Sequence, residues 1–99
     1  MSFSHSSNNI ELVGASLRAS CRTIAGEYYD NELNLDHHVG NHDGVLTFGS
    51  GGFSQTSQNI YLSGATLHAE CRRVDGSYVS SQLNLDHHIG NIDGVLTAN

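Results

Sequence analysis

The chain has 99 residues, of which 37% are hydrophobic and 14% charged, with 11 glycines and no proline. That composition excludes a disordered tail and points to one small domain, because a unit of half this length would bury too little apolar surface to stand alone. The formal net charge is -6, and the only cations are Arg18, Arg22, Arg72 and Arg73. The chain therefore lacks the basic footprint that nucleic-acid binding needs, and an anionic membrane surface is disfavoured for the same reason. No apolar run reaches the length of a membrane span or a leader core, so no membrane insertion is expected. The polar start Met1-Ser2-Phe3-Ser4-His5 reads as a mature N-terminus.

In chain order, Ile10 and Leu12 predict a short strand, and Val13-Gly14-Ala15 a turn. Leu17, Ala19 and Cys21 then alternate with Arg18, Ser20 and Arg22. That is the period of a strand with one buried face. Ala25-Gly26 predicts a hairpin turn and Tyr28 opens the next strand. Asp36-His37-His38 falls in a short helical turn or loop, where an aspartate is expected to cap its own backbone. Asp43-Gly44 is a tight turn leading into a Val-Leu-Thr strand.

The whole pattern then repeats. Residues 3–49 align with 53–99 at a constant offset of 50 without a gap, and 27 of the 47 aligned positions are identical. Two repeats are too few for a solenoid, so a closed pair about a pseudo-two-fold axis is expected, as one domain over 1–99. The hinge near 49–52 lies in Phe48-Gly49-Ser50-Gly51-Gly52-Phe53, whose glycines let strands cross between halves or between chains. A monomer is expected, with a domain-swapped dimer as the alternative. Cys21 and Cys71 occupy matching positions. They either form one disulfide or stay as buried thiols; equivalent positions in separate repeats need not lie within bonding distance, so free thiols are favoured. Free thiols suit a reducing compartment such as the cytoplasm.

Three kinds of chemistry compete. The pairs His37-His38 and His87-His88, each beside an aspartate, offer donors for zinc, nickel or copper. Adjacent residues diverge, however, so one pair does not easily supply two ligands to one ion. A divalent-metal-binding protein is one alternative, and an interaction module without a ligand is another. Catalysis has no support: G-x-S-x-G, phosphate-loop and H-E-x-x-H motifs are all absent. Asn41-His42-Asp43-Gly44 and Asn91-Ile92-Asp93-Gly94 hold amides and carboxylates in fixed directions, as recognition of a vicinal diol requires, although the same residues also make ordinary turns.

Phe3-Ser4 and Phe53-Ser54-Gln55-Thr56, the Leu-x-Ala-x-Cys-Arg strand ending at Arg22 and Arg72, and Leu33 to Leu46 with its copy Leu83 to Leu96 together resemble the cyanovirin-N homology family across nearly the whole chain. The resemblance implies an all-β fold of two pseudo-symmetric halves, each a three-stranded sheet with a β-hairpin, with strands exchanged between the repeats. It implies a non-enzymatic lectin for mannose-rich oligosaccharides and glycoproteins, chiefly terminal α1,2-linked mannose, with antiviral potential and without metal or cofactor. Carried over by position, one sugar site combines Ser2, His5 and Ser6, then Arg22, Thr23 and Ile24, with Asn91, Ile92 and Asp93. The other combines Gly52, Gln55 and Thr56, then Arg72, Arg73 and Val74, with Asn41, His42 and Asp43. Ser7 and Ser57 stand where the family's best-known member has cysteines, so its two internal disulfides are not expected here.

Overall fold

The alternation in the Cys21 segment is realised as strand β2 (Ser16–Arg22), in which Leu17, Ala19 and Cys21 are buried while Arg18 and Arg22 are exposed. In the computed structural model, which describes residues 2–98, β2 is the centre of an antiparallel sheet with β1 (Ser7–Val13) and β3 (Tyr28–Asn34). Met1 of the polar N-terminus and Asn99 of the second repeat lie outside the described residues. A hairpin follows, β4 (Val39–His42) with β5 (Val45–Phe48). The second repeat copies this order: β6 (Ser57–Ser63), β7 (Thr66–Arg72) and β8 (Tyr78–Asn84) form a sheet. Then β9 (Ile89–Ile92) and β10 (Val95–Ala98) form a hairpin. Short 3-10 turns at Phe3–Ser6, Leu35–His37, Phe53–Thr56 and Leu85–His87 join these pieces.

Each hairpin packs on the sheet of the other repeat. The Asn31 side chain of β3 donates to the Gly94 carbonyl and accepts from the Leu96 N–H at 3.3 Å. In the other half the Leu46 N–H donates to Ser81 Oγ at 3.0 Å. The molecule is elongated, 50 × 21 × 16 Å, and one apolar cluster runs through both halves, including Phe3, Leu17, Leu35 and Val39 and their copies Phe53, Leu67, Leu85 and Ile89. Burying such side chains contributes roughly 1.5–3 kcal/mol each before chain entropy is set against it.

The crossings are held by side chains whose partners lie in the opposite repeat. Asp36 was expected to cap its own turn, but Asn34 Oδ1 accepts the Asp36 N–H at 2.9 Å instead. Asn34 precedes the turn, where a short side chain meets the free N–H groups. The Asp36 carboxylate is thereby released to accept from the Ser54 N–H at 3.0 Å and from the Ser54 hydroxyl. Asp86 holds Ser4 in the same way. The hinge is equally tied down: the Gly49 N–H donates to the His38 carbonyl at 2.7 Å and the Gly52 N–H to the Asp36 carbonyl at 2.8 Å. Gly49 and Gly52 have φ of 93° and 76°, which side chains rarely adopt. The ring of Phe48 lies parallel to those of His88 and His38, with centroids 4.5 and 5.9 Å away. These two histidines therefore pack on an aromatic ring, and no group of three or more His, Cys, Asp or Glu side chains converges as a metal site among the described residues.

Both thiols are free and fully buried, Cys21 facing Ser7 and Cys71 facing Ser57 across neighbouring strands. The Ser7 hydroxyl donates to Cys21 Sγ at 3.4 Å and the Ser57 hydroxyl to Cys71 Sγ at 3.5 Å. A thiol in place of either hydroxyl would need only a small shift to close a disulfide. Oxidised Ser7→Cys and Ser57→Cys variants are expected to gain about 3 kcal/mol each, the value for a closed loop of about 15 residues. Urea denaturation with and without reductant checks this; an oxidised form no more stable than the reduced one would show that the geometry is unsuitable.

Candidate functional site

The two Asn-x-Asp-Gly turns end the hairpins that cross between halves. Asp43 and Gly44 both have positive φ, 49° and 93°, which is the hairpin geometry that Asp-Gly favours. Gly44 is required here for a second reason: a Cβ would come within 2.9 Å of Arg73 Cγ, so the turn lies directly against the stem of that arginine. In the other half the copy Gly94 lies against Thr23.

Asn41 fixes the turn to the opposite repeat. Its Nδ2 donates to Arg72 O at 2.8 Å and Thr56 Oγ1 at 2.9 Å, and its Oδ1 accepts the Gly44 N–H at 2.8 Å. Asn91 makes the same set with Arg22 O, Ser6 Oγ and the Gly94 N–H. Both amides are thus committed to protein partners, which makes them positioning groups. The aspartates point onward. Asp43 Oδ1 accepts the Val74 N–H at 2.9 Å, and Asp93 Oδ1 accepts the Ile24 N–H at 2.9 Å. Both aspartates are exposed, and their Oδ2 atoms have no protein partner among the described residues.

In the half built on β6–β8, these groups surround an open groove of ≈ 460 Å³. Asn41, Asp43, Thr56, Arg72, Arg73 and Val74 line it together. Asp75 and Gly76, the second-repeat copies of the Ala25-Gly26 turn, line it too. The Asp75 carboxyl is held below its ordinary value of 3.8, first by the Ser77 hydroxyl and then by the Ser77 N–H, with the Arg73 charge adding to this. His42, Gly52 and Gln55 are not in the groove wall. The His42 ring lies 3.1 Å from Ser50 Oγ at the hinge, Gly52 caps the Phe53–Thr56 turn, and Gln55 is an exposed residue within that turn.

In the half built on β1–β3, Ser6, Arg22, Ile24, Asn91 and Asp93 are brought together by the bonds above. Thr23 is buried at 8% exposure, and its Oγ1 accepts the Glu27 N–H at 3.1 Å. Ile24 and Ile92 are exposed. Ser2 precedes the Phe3–Ser6 turn, where its carbonyl accepts the His5 N–H; no bond joins Ser2 or His5 to the Asn91 cluster. A larger hollow of ≈ 870 Å³ lies between β1 and β6, walled mainly by aliphatic residues such as Ile10, Leu12, Ile60 and Leu62. It offers few polar groups, whereas the turn clusters offer many.

These features define an all-β protein of two strand-exchanged halves, each carrying a polar turn cluster made by both repeats. The chain belongs to the CVNH family, whose domain model matches residues 3–97. A cyanovirin-N homolog from Tuber borchii is 42% identical over 55 residues, a match covering 54% of this chain and 53% of that protein. The match therefore spans about half the length of that curated relative. The NMR structure of the Gibberella zeae CVNH protein is 38% identical, with 97% of this chain and 95% of that one covered and a TM-score of 0.89. Microvirin, solved as a complex with mannobiose, is 34% identical, with 99% and 98% covered and a TM-score of 0.87.

Replacing Asn41 by Ala removes four hydrogen-bonding positions at a half-buried junction. The expected cost is about 2–3 kcal/mol, since the Arg72 carbonyl and Gly44 N–H lose their partner. Chemical denaturation measures it; a loss under about 0.5 kcal/mol would show that water replaces the amide without penalty.

Proposed function

We propose that the chain is a carbohydrate-binding lectin, with no catalytic step and no cofactor, that recognises mannose-rich oligosaccharides and glycoproteins. Terminal α1,2-linked mannose is its chief ligand, and antiviral activity follows where such glycans coat a virus. The two repeats act as one domain with two sites, one on each turn cluster. The observation that carries this reading is the exposed carboxylate of Asp43 or Asp93, anchored through Oδ1 to the backbone of the opposite repeat with Oδ2 open. Adjacent mannose hydroxyls donate to such an oxygen and accept from neighbouring N–H groups, and a preset carboxylate pays little ordering cost on binding. The likeness to microvirin, solved with mannobiose, supports the ligand class.

With two sites a monomer cross-links branched glycans, and multivalent targets are held far more tightly than free disaccharide. Titrating the 15N-labelled protein with α1,2-linked dimannose tests the reading. Amide shifts are expected at residues 22–24 and 72–74 and at Asp43 and Asp93. Unchanged spectra at millimolar sugar would end it.

A further inference from the structure

The two turn clusters share a backbone but not a chemistry. Where the first repeat has Thr23, Ala25 and Glu27 after its cysteine, the second has Arg73, Asp75 and Ser77. Thr23 is buried against the Gly94 turn, and its hydroxyl oxygen is occupied by the Glu27 N–H. Arg73 lies on the Gly44 turn in the same way, but its longer side chain emerges, and its side chain is 49% exposed. Its Nε lies 3.8 Å from Asp43 Oδ1. Arg73 lines the groove together with Asp43 and Asp75.

Asp75 is itself preset. Its Oδ1 accepts the Ser77 hydroxyl at 2.7 Å and the Ser77 N–H at 2.9 Å. The second cleft therefore combines two anchored carboxylates with a planar donor, and an arginine fork suits adjacent oxygens better than a lysine does. The matching positions of the first turn cluster hold Ala25 in place of Asp75 and Thr23 in place of Arg73, so it keeps the anchored carboxylate of Asp93 and Arg22, the copy of Arg72, without a counterpart of Arg73.

Resting on the lectin reading, we infer that Arg73 is the residue that sets affinity in this protein, making the cleft of Asn41, Asp43 and Arg73 the tighter of the two. Its guanidinium donates to the oxygens of a vicinal diol while the Asp43 and Asp75 carboxylates accept from the hydroxyl protons. The first turn cluster binds the same diol without the Arg73 fork and without a second anchored carboxylate at the Asp75 position. One charge-assisted hydrogen bond separates sites by about tenfold or more in dissociation constant.

The test is a pair of reciprocal exchanges, Arg73→Thr and Thr23→Arg, which swap residues already accommodated at matching places in the fold. Dimannose titration of the full chain, with the 15N amides of 22–24 and 72–74 followed separately, gives one dissociation constant per cleft. The expected wild-type result is saturation at residues 72–74 at about one-tenth the sugar concentration needed at 22–24. Arg73→Thr should bring the two constants together, and Thr23→Arg should tighten the first cleft, with both variants keeping wild-type spectra without sugar. Equal constants in the wild type, or an Arg73→Thr variant that binds at 72–74 as before, overturn the assignment to Arg73 while leaving the lectin reading intact. Absence of shifts at both clefts overturns the lectin reading, and the inference falls with it. Should Arg73→Thr lose its native spectrum, Arg73→Lys keeps the charge without the fork and is expected to weaken only the second cleft; unchanged binding there overturns the inference.

Discussion

One polar knot, made twice, positions both clefts. The side-chain amide of Asn41 ties a hairpin turn to the strand end at Arg72 and to Thr56, and Asn91 ties the other turn to Arg22 and Ser6. An asparagine suits this place because its carbonyl can close its own turn through the glycine N–H while its amine reaches outward to two acceptors. An aspartate would lose the donors and a glutamine would overshoot the turn. With the turn fixed, the next aspartate has only one direction to point, onto the backbone N–H of Val74 or Ile24. The cleft is thus a consequence of the hairpin crossing, since neither repeat contains both its turn and its seat.

The crossing needs its own support, because an elongated molecule of this size has little core to spend. Asp36 and Asp86 supply part of it by gripping Ser54 and Ser4 at the points where the chain leaves one half for the other. Phe48 supplies another part by stacking on histidines from both repeats. These groups make the duplication cooperative: each repeat is completed by pieces of its copy.

Much of the local structure was legible in the sequence, and much of the tertiary structure was not. The strand of Leu17, Ala19 and Cys21, the Asp-Gly hairpins and the hinge glycines follow from alternation and turn chemistry. Strand exchange came only through family resemblance. It rests on contacts between residues distant in sequence, such as Leu46 with Ser81 and Asn31 with Gly94, which no local period encodes. Asp36 misled because two residues competed for one cap, and the earlier one, Asn34, took it. Asp75 carries no separate signal, because Asp-Gly reads as a turn whether or not its residues also line a groove. The histidine pairs, conspicuous as possible ligands, are partly accounted for by the Phe48 stack, which depends on the fold bringing residues 38, 48 and 88 together.

The central claim is that each cleft is composite, so damage to one repeat should appear in the sugar response of the other. The direct measurement is a dimannose titration of the Asp93→Ala variant followed by amide shifts. The account predicts that the response of residues 22–24 disappears, about 70 positions away in sequence, while that of residues 72–74 is unchanged. Loss at 72–74 with 22–24 still responding would contradict it, because the cleft would then belong to a single repeat.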